Sequence, residues 1–404
     1  KYEYLYILFF LLISCTSDNS KSVVINNMHN EVKYLSSDEL KGRQTGTEYE
    51  IKSARYIASL FDKYNLEPKG DSGFFQNFQA KIRSNPHTNT VEKEIKGLNV
   101  VGYLNNSKEQ TIIIGAHYDH LGLGEYGSLY DGGSEVHNGA DDNASGVSLM
   151  LNLIDGLRKI TDYNYLFIAF SGEEHGLYGS SYYAKNSTIN LADVKFMLNF
   201  DMVGRLDAER RLVINGVGTS DKWRGLIDQS NYLPFDLKLF ESGTGGSDHT
   251  SFYLQDIPVL HFFTGQHEDY HKPSDDYEKI NFQGMYEIFC FTKDLILNSV
   301  SVDNFDFQET VSDTNTAPRF TVTLGIMPDY LFDEGGLRID GVTKGKVASK
   351  YNILKGDIIT KMGDVEVIDI MTYMKALSKF KSGDRTDVEI LRSDEKIKIN
   401  IVFE

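Results

Sequence analysis

From Leu98 to Phe263 the chain is a succession of short apolar runs, and several of them end on an imidazole or a carboxylate. Leu98 to Leu104 and Thr111 to Ala116 are rich in β-branched residues and bounded by turn formers, which predicts strands. Tyr163 to Ser171, Lys195 to Phe200, Arg211 to Asn215 and Pro258 to Phe263 read the same way. Between and around these runs the spacing becomes helical. Glu48 to Tyr64 has apolar residues at Ile51, Ala54, Ile57, Leu60 and Phe61, and Ser145 to Leu157 and Gln283 to Leu297 follow suit. Strands alternating with helices predict an α/β fold whose mainly parallel sheet is covered on both faces. Ligands of such sheets bind outside the carboxyl ends of the strands. His117, Glu173, Glu174 and Asp201 all fall just past a strand end, and Asp142 opens a helix, where its charge suits the positive dipole end.

The segments concerned are Gly115 to Asp119, Gly139 to Gly146, Ser171 to Glu174, Asn199 to Asp201 and Tyr270 to Pro273. They offer imidazoles and carboxylates without thiolates, a donor set suited to a hydrolytic metal site that keeps a water. A Glu173-Glu174 pair alone would read as a solvated turn. After so apolar a strand, with Ser171-Gly172 as a tight turn, one glutamate can bind metal while the other faces the substrate water. Asp119, two residues after His117, is placed to fix the tautomer of a ligating imidazole. His120, His137, His175 and His267 read as loop histidines.

A net charge of −17 over 404 residues argues against a nucleic-acid partner, because phosphate binding needs a basic surface. The first residues are apolar from Tyr4 to Ile13 and then read Ser14-Cys15. This run is too short to span a bilayer and fits a secretory signal. The small residue before Cys15 resembles the lipobox of bacterial lipoproteins. That resemblance implies a signal over 1–15, lipidation at Cys15, a tether over 16–26, and an envelope location with contact to a membrane through the lipid only. A buried N-terminal helix with an incidental cysteine is the alternative. The second cysteine, Cys290, lies in Ile288-Phe289-Cys290-Phe291, the buried face of a helix, and no disulfide framework is implied.

Over about Lys33 to Asn298 the motifs, in order, resemble the M28 metallopeptidases, which are co-catalytic zinc aminopeptidases of the zinc exopeptidase fold. The resemblance implies two zinc ions per chain held by His117, Asp142, Glu174, Asp201 and His271, with Asp142 bridging. It implies a bridging hydroxide as nucleophile, Glu173 as general base and peptides as substrates. Tyr270 then either hydrogen-bonds the tetrahedral intermediate or packs in the cleft wall, and Asp248 supports the site. Asp141 is the less expected ligand of its pair. Two other readings stay open: a single-zinc glutaminyl cyclase on the same fold, and a non-catalytic surface adaptor.

Beyond a polar stretch at 299–318, expected to be a linker between a 27–298 peptidase-like domain and a 319–404 module, the pattern changes to short strands. Gly335 to Val342, Lys355 to Ile359, Thr386 to Arg392 and Lys396 to Phe403 resemble a PDZ domain. Its carboxylate-binding loop would be Leu324, Gly325, Ile326 and Met327, serving either to capture a peptide C-terminus or as a packing surface.

Overall fold

The computed structural model describes residues 18–82, 93–310 and 322–403, apart from 234, 304, 330–331, 333–334, 343–344, 369 and 394. Cys15 and the apolar leader lie outside the described residues. Among those described, no helix is long and apolar enough to cross a membrane.

Two helices come first, α1 (Asp18–Leu35) and α2 (Glu48–Lys63), followed by strands β1 (Glu67–Pro68), β2 (Phe75–Ile82), β3 (Lys93–Leu104) and β4 (Thr111–His117). Then come α3 (Gly146–Leu157), β5 (Asn164–Phe170), α4 (Tyr178–Lys185), β6 (Val194–Phe200) and β7 (Arg211–Asn215). The chain continues through α5 (Trp223–Ser230), β8 (Asp236–Phe240), α6 (His249–Tyr253), β9 (Val259–Phe263) and α7 (Phe282–Ser299). These strands form one nine-stranded sheet in the order β1-β3-β5-β4-β6-β9-β7-β8, with β2 paired to β3. The centre, β5-β4-β6-β9, is parallel, while β3 and β7 join it antiparallel. The expected α/β architecture is therefore what forms, with antiparallel strands added on both sides of its parallel centre.

Side chains in the central strands alternate between two layers, as the pleat requires. Ile112 and Ile114 face a core shared with α1, α2, α3 and α7, whereas Ile113 faces one shared with α4 and α6. Every residue of β4 and β5 is buried, which accounts for their continuous rather than alternating hydrophobicity. Each fully buried large aliphatic or aromatic side chain there contributes about 1.5–3 kcal/mol. α3 is apolar nearly all round because α1 and α7 pack against it and it lies on the sheet.

Two stretches differ from the expectation. Residues 18–26, read as tether, belong to α1, because Val24, Ile25, Met28, Val32 and Leu35 make a helical stripe that packs into the main core. The segment read as linker from 299 is docked as far as Thr310. Phe305 packs edge-on against Trp223 at 4.6 Å, Phe307 lies 5.3 Å from Tyr253, and Gln308 N–H donates to Thr219 O. Buried aromatic surface holds this stretch to the first domain despite its polar sequence.

The C-terminal unit has its own core and sheet. Its elements are β10 (Ile326–Pro328), β11 (Leu337–Val342), α8 (Val347–Lys350), β12 (Ile358–Met362), β13 (Val365–Glu366), α9 (Ile370–Leu377), β14 (Arg385–Arg392) and β15 (Glu395–Val402). Strand order is β10-β11-β12-β14-β15, with β13 on β12. Leu324 is buried and its carbonyl accepts from Ala348 N–H, and Gly325 turns at φ 72° just before β10. Among the described residues, the expected peptide-binding loop leads into an edge strand that pairs with β11 alone, and strand addition requires such an edge.

Candidate metal centre

Because β4, β5 and β6 run parallel and in register, their carboxyl ends present His117, the Glu173-Glu174 turn and Asp201 side by side. Gly172 makes the turn after β5 at φ 75°, a conformation open to glycine. Gly139 is needed for a second reason. At φ 56°, a Cβ there would lie 2.2 Å from the carbonyl oxygen of Asp142 and 2.5 Å from the His120 ring. His271 and Met202 also sit at positive φ (54° and 52°), a strain that clusters at functional sites.

Asp142 lies at the middle of the cluster. Its Oδ1 is 3.3 Å from His117 Nε2, which is also 3.3 Å from Asp201 Oδ1. Its Oδ2 is 3.3 Å from His271 Nε2, which is 3.2 Å from Glu174 Oε2. One carboxylate therefore faces two imidazole–carboxylate pairs, one through each oxygen. All five residues expected as ligands converge here. Asp141 turns away: its Oδ1 accepts from Gly204 N–H and its Oδ2 lies 3.1 Å from His267 Nε2.

Glu173 Oε2 stands 3.9 Å from His117 Nε2, farther than either aspartate. Burial, with Asp201, Glu174 and Asp248 adding to it, raises Glu173 well above the usual carboxylate range against the pull of His117. Glu174 goes the other way. It overcomes its burial through His271 and His120 and is held at about 2. Neighbouring carboxylates driven apart in this way suit different tasks, one exchanging a proton and one staying ionised. Burial would lower both His117 and His271, but the carboxylates around them outweigh it and raise both well above the ordinary imidazole value.

The supporting shell differs in detail from the expectation. His117 Nδ1 lies closest to the backbone carbonyl of Asp119 (3.2 Å), with the carboxylate at 3.7 Å. The Asp119 carboxylate instead accepts the Glu173 N–H at 3.2 Å. Asp248 is buried at the start of α6, where burial raises it to about 7. The Tyr270 ring stacks on His271 at 3.9 Å and joins an apolar group with Met202, Val213, Phe240 and Phe263.

Three contributors escaped the sequence reading. His120, read as a loop histidine, is buried with its Nδ1 2.6 Å from Glu174 Oε1. Asp275 Oδ2 accepts the N–H groups of Asp141 and Asp142 and so fixes the turn that aims Asp142. Arg43 is fully buried. Its Nε–H donates to Tyr118 O at 2.8 Å, and its terminal nitrogens donate to the carbonyls of Leu35, Asn138 and Gly139. The only local signal for Arg43 was a charged residue in a glycine-rich turn, which is usually exposed.

The residues present suit zinc. Carboxylates of like charge converge in a buried site, and two separate groups of three, His117–Glu173–Asp201 and His120–Asp142–Glu174, each bring their donor atoms within 4.8 Å of one another. Buried acids packed this closely need a compensating cation.

Residues 99–292 match the model of peptidase family M28, and residues 313–402 match that of the PDZ domain. Aminopeptidase YwaD of Bacillus subtilis is 30% identical over 220 residues, which cover 51% of this chain and 44% of that protein. The chain thus spans under half the length of that curated relative. A zinc aminopeptidase from Bacillus subtilis superposes with a TM-score of 0.55 at 20% identity, covering 71% of this chain and 98% of the other. A glutaminyl cyclase from Bacteroides thetaiotaomicron superposes with a TM-score of 0.56 at 15% identity, covering 68% and 97%.

Proposed function

We propose that this chain, whose residues 99–292 match the model of peptidase family M28 and whose residues 313–402 match that of the PDZ domain, is a di-zinc aminopeptidase that removes N-terminal residues from peptides. The observation that carries the reading is Asp142, whose two oxygens each face a separate imidazole–carboxylate pair. One ion would be held by His117, Asp142 and Asp201, the other by Asp142, Glu174 and His271. Zinc in such a site supplies Lewis acidity and lowers the pKa of water. Glu173 takes the proton from the attacking water and passes it to the departing amine, the task for which its raised proton affinity suits it. His120 donates from Nδ1 to Glu174 and keeps that carboxylate turned toward Asp142 and His271. The apolar group around Met202, Phe263 and Tyr270 borders Asp201 and His271 and suits an apolar first residue on the substrate.

Metal content tests the assignment. The loaded protein should carry two zinc ions per chain, lose turnover of aminoacyl reporters on chelation, and regain it with zinc. His271→Ala should bring the stoichiometry to one. His120→Ala should keep two ions while weakening one of them about 10–100-fold, the usual effect of removing a group that orients a ligand. One zinc in the unsubstituted protein, with a pyroglutamate product from an N-terminal glutamine peptide, would overturn the reading in favour of a cyclase.

The PDZ domain extends the proposal. A groove that captures C-termini holds a peptide by one end while the other is trimmed, and raises its local concentration. Removing 320–404 should leave short reporters nearly unaffected, since every proposed metal-binding residue lies upstream. It should slow trimming of long peptides with free C-termini more than that of their amidated counterparts. Equal loss on every substrate would identify the unit as structural.

A further inference from the structure

The family match begins at residue 99, yet the floor beneath Glu173 is built by a segment some fifty residues upstream of it. Thr45 lies between the short helix at 38–43 and α2, and is buried. Its hydroxyl donates to Asp119 Oδ2 at 2.8 Å and lies 3.1 Å from Ser171 Oγ. Ser171 in turn donates to Glu50 Oε1 at 2.6 Å. Glu50 also accepts the N–H of Leu98 at 3.0 Å and that of Gly46 at 2.7 Å. These contacts fasten it to β3 and to the entry of α2. At the other end of the chain of contacts, Asp119 Oδ1 accepts the N–H of Glu173.

A carboxylate that holds a backbone N–H through one oxygen can still rotate about its Cβ–Cγ bond unless the other oxygen is held too. Thr45 supplies that second hold. A buried acceptor that loses its donor carries an uncompensated desolvation cost, which is enough to change the rotamer populations of Asp119. A shift of even 1 Å at a proton-transferring group can cost about 10²-fold in rate.

We propose that Thr45 is a positioning residue for Glu173: its hydroxyl locks Asp119, and Asp119 fixes the backbone from which the Glu173 carboxylate projects. This rests on the assignment of Glu173 as the proton carrier. All four side chains of the network are buried, and it ends on a residue that belongs to neither proposed metal set.

Thr45→Val keeps the β-branched shape and removes the hydroxyl, whereas Thr45→Ser keeps the hydroxyl and removes a methyl group. In the zinc-loaded full chain, Thr45→Val should lower kcat about tenfold or more with KM and zinc content unchanged, and Thr45→Ser should stay within about threefold of the unsubstituted enzyme. Should Thr45→Val not fold, Thr45→Ala takes its place in the same assay. A kcat within threefold, or a loss that tracks zinc content, overturns the inference. Glu173→Gln run in parallel separates the two levels. An inactive Glu173→Gln beside a fully active Thr45→Val removes only the role of Thr45, whereas an active Glu173→Gln removes the assignment on which it rests.

Discussion

Replacing Glu173 by glutamine is expected to lower kcat by about 10³-fold, within the range that general acid–base catalysis supplies, while leaving two zinc ions per chain and KM near its original value. The glutamine side chain has nearly the same shape but cannot accept the proton of the attacking water. Zinc retention follows from distance. His117 Nε2 is 3.3 Å from both Asp142 and Asp201 but 3.9 Å from Glu173. The measurement is steady-state kinetics on an aminoacyl reporter together with metal analysis of the same sample. Loss of an ion along with activity would make Glu173 a ligand rather than a proton carrier, in keeping with its proximity to His117 and Asp201. Activity within tenfold would remove it from the mechanism.

Arg43→Met should produce the largest loss of stability. The guanidinium donates to four buried carbonyls, those of Leu35, Tyr118, Asn138 and Gly139. Asp142, Asp119, Asp275 and Glu174 draw its positive charge into a site that would otherwise expel it. Burial alone lowers it, and against their pull it still settles at about 10. Methionine fills the volume and leaves both the carbonyls and the acids uncompensated. A loss of about 3–5 kcal/mol is expected, the range for breaking a buried charged group from its partners. At about 2–4 °C per kcal/mol for a domain of this size, the melting temperature should fall by roughly 10 °C. Calorimetry on metal-stripped protein isolates this effect from zinc binding. A fall below about 2 °C would show that the carbonyls find other donors. Arg43→Lys should recover only a fraction, since a point ammonium cannot reach carbonyls on the end of α1 and on two loops at once.

The parallel centre of the sheet was legible because burial on both faces leaves an unbroken apolar run, as in β4 and β5, and because chemistry placed at strand ends follows from topology. His117 ends β4 and Asp201 follows β6 directly, so both could be read from position alone. What a residue faces across a loop is not encoded by its neighbours. His120 reached Glu174 without any local pattern to announce it. α1 was hidden by its polar first turn, Asp18 to Ser22, which drew attention from the stripe beginning at Val24. β8 (Asp-Leu-Lys-Leu-Phe) alternates as an edge strand should, and its Asp236 and Lys238 interrupt the unbroken apolar run by which the equally short β7 was read. Arg43, Thr45 and Glu50 were the least readable, since charged and polar side chains are exposed far more often than buried.

The fastening of the upstream segment has a consequence for how the protein reaches its native state. Arg43 joins loops 75 and 96 residues further along, Glu50 meets Ser171 across 121 residues, and Glu31 on α1 accepts from Ser148 on α3 across 117. Each of these contacts waits for chain 75 to 121 residues further along, so the segment carrying Glu31, Arg43 and Glu50 is fixed only after partners that follow it in sequence. Such high sequence separation slows folding and ties distant stretches into one cooperative unit. An opening of the Glu31–Glu50 segment would therefore release the loops of His117 and Asp142 together, and a partly folded chain would not bring the proposed metal-binding residues into place.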